Sequence, residues 1–217
     1  MSLWRAATTV GGLTGLSRVV GFIRDLVTAA LLGAGPAADA YFIALRLPDL
    51  ARRLLAEGAL SAAFAPRFAG LLATEGRLAA LRFAEDCLAA LLGVAILAVS
   101  VGLWAMPALV GLLAPGFDDN VSTAGIALDF CRLTFPYLAP VAVVALCGAV
   151  LNGLGRMSAF AASPIIFNLG VLSAALAALA LPGEAAGYLL AAGVTLAGCL
   201  QVLWMVAALR RAGARLR

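Results

Sequence analysis

The stretch "LSRVVGFIRD", Leu16 to Asp25, sits in the middle of a long apolar run and places Arg18, Arg24 and Asp25 inside it. The surroundings decide how to read it. The 217-residue chain is 64% hydrophobic and 12% charged, with a mean hydropathy of +1.07. Soluble domains are nearer half apolar and a quarter charged. Composition therefore gives an all-α integral membrane protein, and the quoted stretch falls within its first membrane span. A retained span is expected rather than a cleaved leader, because a leader's apolar region is short and carries no charge.

Six spans of roughly 20 apolar residues are expected in a single unit over residues 1–217. They cover about 7–32, 40–71, 87–113, 126–151, 159–181 and 188–209. All fifteen basic residues are arginine. At or beyond the ends of the spans, Arg5, Arg67, Arg77, Arg82, Arg156, Arg210, Arg211, Arg215 and Arg217 fall on one side. The other connections hold Asp39, Asp118, Asp119 and Glu184 and no arginine. Basic residues favour the cytoplasmic side, so both termini are expected there. The same bias explains the formal charge of +4 without nucleic acid. The segment "EGRLAALRFAED", Glu75–Asp86, reads as either a surface amphipathic helix or a solvated linker.

Sorting leaves ten charges within spans: Arg18, Arg24, Asp25, Arg46, Asp49, Arg52, Arg53, Glu57, Asp129 and Arg132. Each costs about 2.5–3.5 kcal/mol at the bilayer centre on insertion scales, so they must face water or one another. At 100° per residue, Arg18 and Asp25 share a face. Arg46, Asp49, Arg53 and Glu57 form a stripe, with Arg53 and Glu57 as an i,i+4 pair. Arg24 and Arg52 lie off these stripes and have no evident partner in their own helices.

Six arginines face four acids in this set, leaving a surplus of two positive charges. One reading is a group of salt bridges locking spans one and two together. The other is a hydrated cavity with excess positive charge, suited to an anion. Arginine forks bind phosphate bidentately, so phosphate or diphosphate is the expected ligand. Pro48, Pro136 and Pro140 permit kinks, which are tolerated at membrane depth where they line a cavity. Gly11, Gly12, Gly15, Gly21 and Gly58 read as close helix-packing positions.

Catalytic patterns are missing from the sequence. It has no histidine, the commonest general base. It has no Walker loop, HExxH or GxSxG. Cys87, Cys131, Cys147 and Cys199 are widely spaced and read as small apolar side chains. No enzyme, cofactor or metal is expected.

The run "SRVVGFIRDLVTAALLGAGPAADAYFIALRLPDLARRLLAEGALSAAFAPRF", Ser17–Phe68, resembles the N-terminal signature of the MurJ/MviN lipid II flippases. "APGF" at Ala114–Phe117, "TFPY" at Thr134–Tyr137 and "LNGLGRMSAFAASPIIFN" at Leu151–Asn168 extend the likeness along the chain. The resemblance implies one six-helix lobe of a two-lobe exporter fold, with the C-terminal lobe absent. It implies a transporter in the bacterial inner membrane that moves lipid II by alternating access, among membrane lipids. Another lipid-linked oligosaccharide and a non-transporting structural subunit are the alternatives. By motif position, Arg18, Arg24 and Arg52 or Arg53 would line the cavity. Asp25, Asp39, Arg46, Asp49 and Glu57 would support or gate it. Asp49 departs from the family's usual "PN"; the extra acid either weakens the local positive field or pairs with Arg46 or Arg53.

Overall fold

The computed structural model describes residues 3–53, 63–114, 121–182 and 184–214. All regular structure among them is helical. The order is α1 (Leu3–Leu32), α2 (Pro36–Arg52), α3 (Ala65–Thr74), α4 (Arg77–Trp104), α5 (Met106–Leu113), α6 (Val121–Thr134), a 3-10 turn (Phe135–Tyr137), α7 (Leu138–Gly153), α8 (Met157–Ala178) and α9 (Glu184–Arg211).

Glycine and proline set these boundaries. Gly33 follows α1 with φ +63°, and Gly155 separates α7 from α8 with φ +72°. Both positions need the left-handed conformation that glycine adopts without a Cβ penalty. Pro36 occupies the first turn of α2 and Pro66 the first turn of α3, where a missing N–H costs no helical bond. Pro136 sits in the 3-10 turn between α6 and α7. This is the kink expected in the fourth span.

Among the described residues, four helical stretches are long and apolar enough to cross a membrane: Arg77–Trp104, Thr123–Gly153, Met157–Ala178 and Glu184–Arg211. They correspond to the third through sixth expected spans. The third differs in its limits. Its helix begins at Arg77, so most of "EGRLAALRFAED" forms the opening turns of a long helix rather than a separate surface element or linker. No glycine or proline interrupts Leu78–Leu92. The break comes later, at Ala105, ahead of Pro107. α1, which carries Arg18, Arg24 and Asp25, and the 17-residue α2 stand outside this set of four.

The exterior is apolar, as a lipid-facing surface requires. Trp104 is 86% exposed, and Leu97 and Leu203 are also exposed. The interior holds two apolar clusters. One gathers Tyr41, Met106, Phe130 and Leu190. The other gathers Phe68, Leu146, Leu151 and Met205.

Apart from α8 and α9, the main packing partners are helices far apart in the sequence. α1 lies along α8, α8 lies along α9, and α2 lies against α6. α1 barely touches α2, so a gap opens between the first two helices. Small residues allow the close approach of α8 and α9. A Cβ on Gly170 would come within 2.8 Å of the Ala197 Cβ. The expected glycine packing on α1 is different. A Cβ on Gly11, Gly12 or Gly15 would have nothing within 4 Å, and of these expected positions on α1 only Gly21 faces a neighbour, Asn168. Gly58 lies outside the described residues.

The open glycines can be tested directly. Gly15→Ala meets no atom and replaces a poor helix former, a gain of about 1 kcal/mol in a helix interior. The unfolding midpoint of the chain in detergent should rise or hold. A clear fall would place a tight contact at Gly15.

Candidate functional site

The gap between α1 and α2 is a cavity of about 430 Å³. α1 contributes Arg18, Arg24 and Asp25; α2 contributes Asp49 and Arg52. Tyr137, Phe167, Asn168 and Gln201 also line it. A narrow inner recess of about 40 Å³ continues between Arg24, Arg52, Tyr41 and Pro48. Pro48 is within α2. Of the three prolines expected to border a cavity, Pro48 lines the recess, whereas Pro136 and Pro140 line neither it nor the main cavity.

Arg24 is the most elaborately held of these cations. Its Nε and Nη2 donate to Asp25 Oδ1 at 3.0 and 2.7 Å. Its Nη1 donates to Asn168 Oδ1 at 2.9 Å. Its side chain is 23% exposed and that of Asp25 is 65% exposed. Arginine has five N–H donors in a fixed fork. Three bonds therefore leave two N–H groups free on the two Nη atoms. On α2, Arg52 Nη2 lies 3.6 Å from Asp49 Oδ1. Both of those side chains are about half exposed, so the pair contributes at most about 1 kcal/mol. Arg18 lines the cavity with no ion pair or hydrogen bond among the described residues.

The wall has three arginines against two aspartates, a net charge of +1. Beneath it runs a buried polar chain. Tyr137 Oη donates to Gln201 Oε1 at 3.3 Å. Gln201 Nε2 donates to the Ser163 carbonyl and to Ser163 Oγ, both at 3.1 Å. Satisfied amides of this kind can be buried without the penalty of an unpaired polar group.

The ion pairs do not follow the shared faces of the helical wheel. Asp25 binds Arg24, although Arg18 is the arginine on its face. Asp49 binds Arg52 rather than Arg46 or Arg53. Arg24 and Arg52, which a helical wheel leaves alone, are thus the two cavity arginines that do have partners in their own helices. An arginine side chain is long enough to fold back onto a neighbouring turn, so the direction of its Cβ does not fix where its charge lies. Arg132 and Asp129 form a further pair at 3.9 Å within α6. Among the described residues no ion pair joins α1 to α2. The locking of spans one and two by salt bridges is therefore not seen.

Other expected site residues lie elsewhere. Arg46 and Arg53 are exposed on α2 and at its C-terminal end, and neither borders the cavity. Asp39 is in the first turn of α2, where a negative charge suits the helix dipole. Glu57 lies outside the described residues. Sequence reasoning missed Asn168, Tyr137 and Gln201. Asn168 and Gln201 had a usable signal, since amides in apolar spans seek partners across helices.

Apolar helices long enough to cross a membrane, around a charged internal cavity, define a polytopic membrane protein. Comparison with known proteins gives the family. Residues 28–217 match the family described as lipid II flippase MurJ. A probable lipid II flippase MurJ of Rhizobium meliloti is 41% identical over 220 residues, covering 100% of this chain and 41% of that protein. One from Rhizobium tropici is 40% identical over 98% of this chain and 40% of the relative. The lipid II flippase MurJ of Burkholderia cenocepacia is 34% identical over 97% of this chain and 41% of the relative. The chain belongs to the MurJ family. It spans about two-fifths of the length of these relatives.

Proposed function

We propose that this chain is the six-span N-terminal lobe of a lipid II flippase in the bacterial inner membrane. Both termini face the cytoplasm, and the cavity arginines bind the lipid-linked diphosphate. The observation that carries the reading is the convergence of Arg18, Arg24 and Arg52, from two helices, on one open cavity. Supporting it is the lack of any α1–α2 ion pair among the described residues, since a purely structural role for the charges would use them as clamps.

The mechanism follows from the chemistry of the groups. A diphosphate presents several anionic oxygens, and arginine offers paired N–H donors that match two at once. Arg18 is free to approach from the open side. Arg24 and Arg52 each keep an aspartate that compensates part of their charge. The polyprenyl tail stays in the bilayer while the headgroup occupies the hydrated cavity. A second lobe supplies the opposite wall, and rocking of the two lobes exchanges access between the two sides of the membrane.

Complementation tests this reading. Joined to a complete second lobe, the chain should sustain growth of a strain depleted of its own lipid II flippase. Arg18→Ala should abolish that growth with protein levels maintained. Normal growth of the variant would defeat the proposed role. An exporter of another lipid-linked oligosaccharide would fail to support growth even unmutated.

A further inference from the structure

Asn168 is on α8, yet its side chain reaches into the cation wall on α1. Its Oδ1 accepts from Arg24 Nη1 at 2.9 Å. Its Nδ2 donates to the Ser17 carbonyl at 3.0 Å and lies 3.4 Å from Ser17 Oγ. The orientation of the amide is dictated by its neighbours. A guanidinium can only donate and a carbonyl can only accept, so the oxygen must face Arg24 and the nitrogen must face Ser17.

The backbone of α1 is shaped for this contact. Ser17, Gly21 and Arg24 follow i, i+4, i+7 spacing and share one face. Helical side chains lean toward the N-terminus, which carries the Arg24 head back toward Gly21. Gly21 leaves the space that the amide fills. A Cβ there would lie 3.1 Å from Asn168 Nδ2, closer than comfortable packing. The Ser17 carbonyl already serves the helix and uses its second lone pair for Asn168. Asn168 is 9% exposed, and its amide has satisfied bonds at both ends.

We propose that Asn168 is a positioning residue for the anion site. It fixes the Arg24 guanidinium against the cavity wall and ties the α1 cation wall to α8. Asp25 holds one side of the same guanidinium, through Nε and Nη2. Asn168 holds it from the other end, through Nη1. Two grips in different directions fix the plane of the fork and aim its remaining N–H groups. A fork held in place loses less conformational entropy when a ligand binds. This role rests on the reading that Arg24 meets an anionic lipid headgroup.

The test uses the full chain in phosphatidylethanolamine–phosphatidylglycerol nanodiscs, with undecaprenyl diphosphate as probe. Asn168→Ala should weaken binding roughly tenfold, the scale of one hydrogen bond to a charged group. Gly21→Ala keeps the amide but displaces it, and should weaken binding a few-fold although alanine favours the helix. Asn168→Asp should weaken binding more than Asn168→Ala, because it adds a carboxylate beside Arg24. In an Arg24→Ala background, Asn168→Ala should cause no further loss. An equal loss in both backgrounds, or unchanged binding of Asn168→Ala beside a binding wild type, overturns the positioning role. A wild type that binds no diphosphate lipid overturns the anion reading itself, and the positioning role with it.

Discussion

Arg24→Glu should reduce binding of undecaprenyl diphosphate by at least about a hundredfold, the largest loss expected from a single change at the cavity. Two effects add. The substitution removes the free N–H pair on the best-held guanidinium, and hydrogen bonds to charged groups contribute about 1.5–3 kcal/mol each. It also turns the wall from net +1 to net −1, since Arg18, Arg24 and Arg52 now stand against Asp25 and Asp49. A like charge about 5 Å from the ligand costs about 3 kcal/mol at an effective dielectric near 20. The new carboxylate would also face Asp25 with no cation between them. The measurement is equilibrium binding in nanodiscs at fixed ionic strength, with Arg46→Glu as the control. Arg46 carries the same charge but is exposed on α2 and borders no part of the cavity. Its reversal should change binding by no more than about threefold. Equal losses for the two variants would mean that only the overall field matters and that Arg24 has no special place.

How much of this was legible in the sequence differs between features. The punctuation was local and readable. Gly33 and Gly155 end helices because their backbones need positive φ, and Pro136 breaks the fourth span because it lacks an N–H. The presence of uncompensated charge in the first two helices was also readable, because only topology is needed to see it. The partner of each charge was not. A wheel compares Cβ directions, whereas Arg24 reaches the adjacent Asp25 and the distant Asn168 at once. That second contact spans 144 positions in the chain, and no local pattern encodes it. The same limit hid the packing of α1 on α8 and the parting of α1 from α2. Without that parting, Arg18 and Arg52 have no shared cavity to line. The glycines of α1 misled for a related reason. "GGLTG" has the spacing of a packing seam, but the partner that would fill it is not among the described helices.

Gly170→Leu should destabilise the fold by about 3 kcal/mol, toward the upper end of the usual cost of overpacking. A Cβ at position 170 would lie 2.8 Å from the Ala197 Cβ and 3.1 Å from the Ala197 Cα. The second atom is backbone, so no rotamer change of a neighbour can relieve the contact. Farther along the same interface, a Cβ on Gly193 would lie 2.5 Å from the Ala174 Cβ, so α8 and α9 meet closely at two levels. In a membrane, water is not available to drive helices together, and close van der Waals packing does much of that work. Separating α8 from α9 therefore removes what holds this part of the bundle. The consequence extends to the cavity. α8 carries Asn168 two residues before Gly170, and α1 rests on α8. Gly170→Leu should lower the unfolding midpoint in detergent and weaken diphosphate binding together. Leu169→Ala is the matched control, since Leu169 is exposed and should leave both nearly unchanged. A Gly170→Leu protein with an unaltered midpoint would show that α8 and α9 are not in backbone contact there, and would remove the support that this interface gives to Asn168 and Arg24.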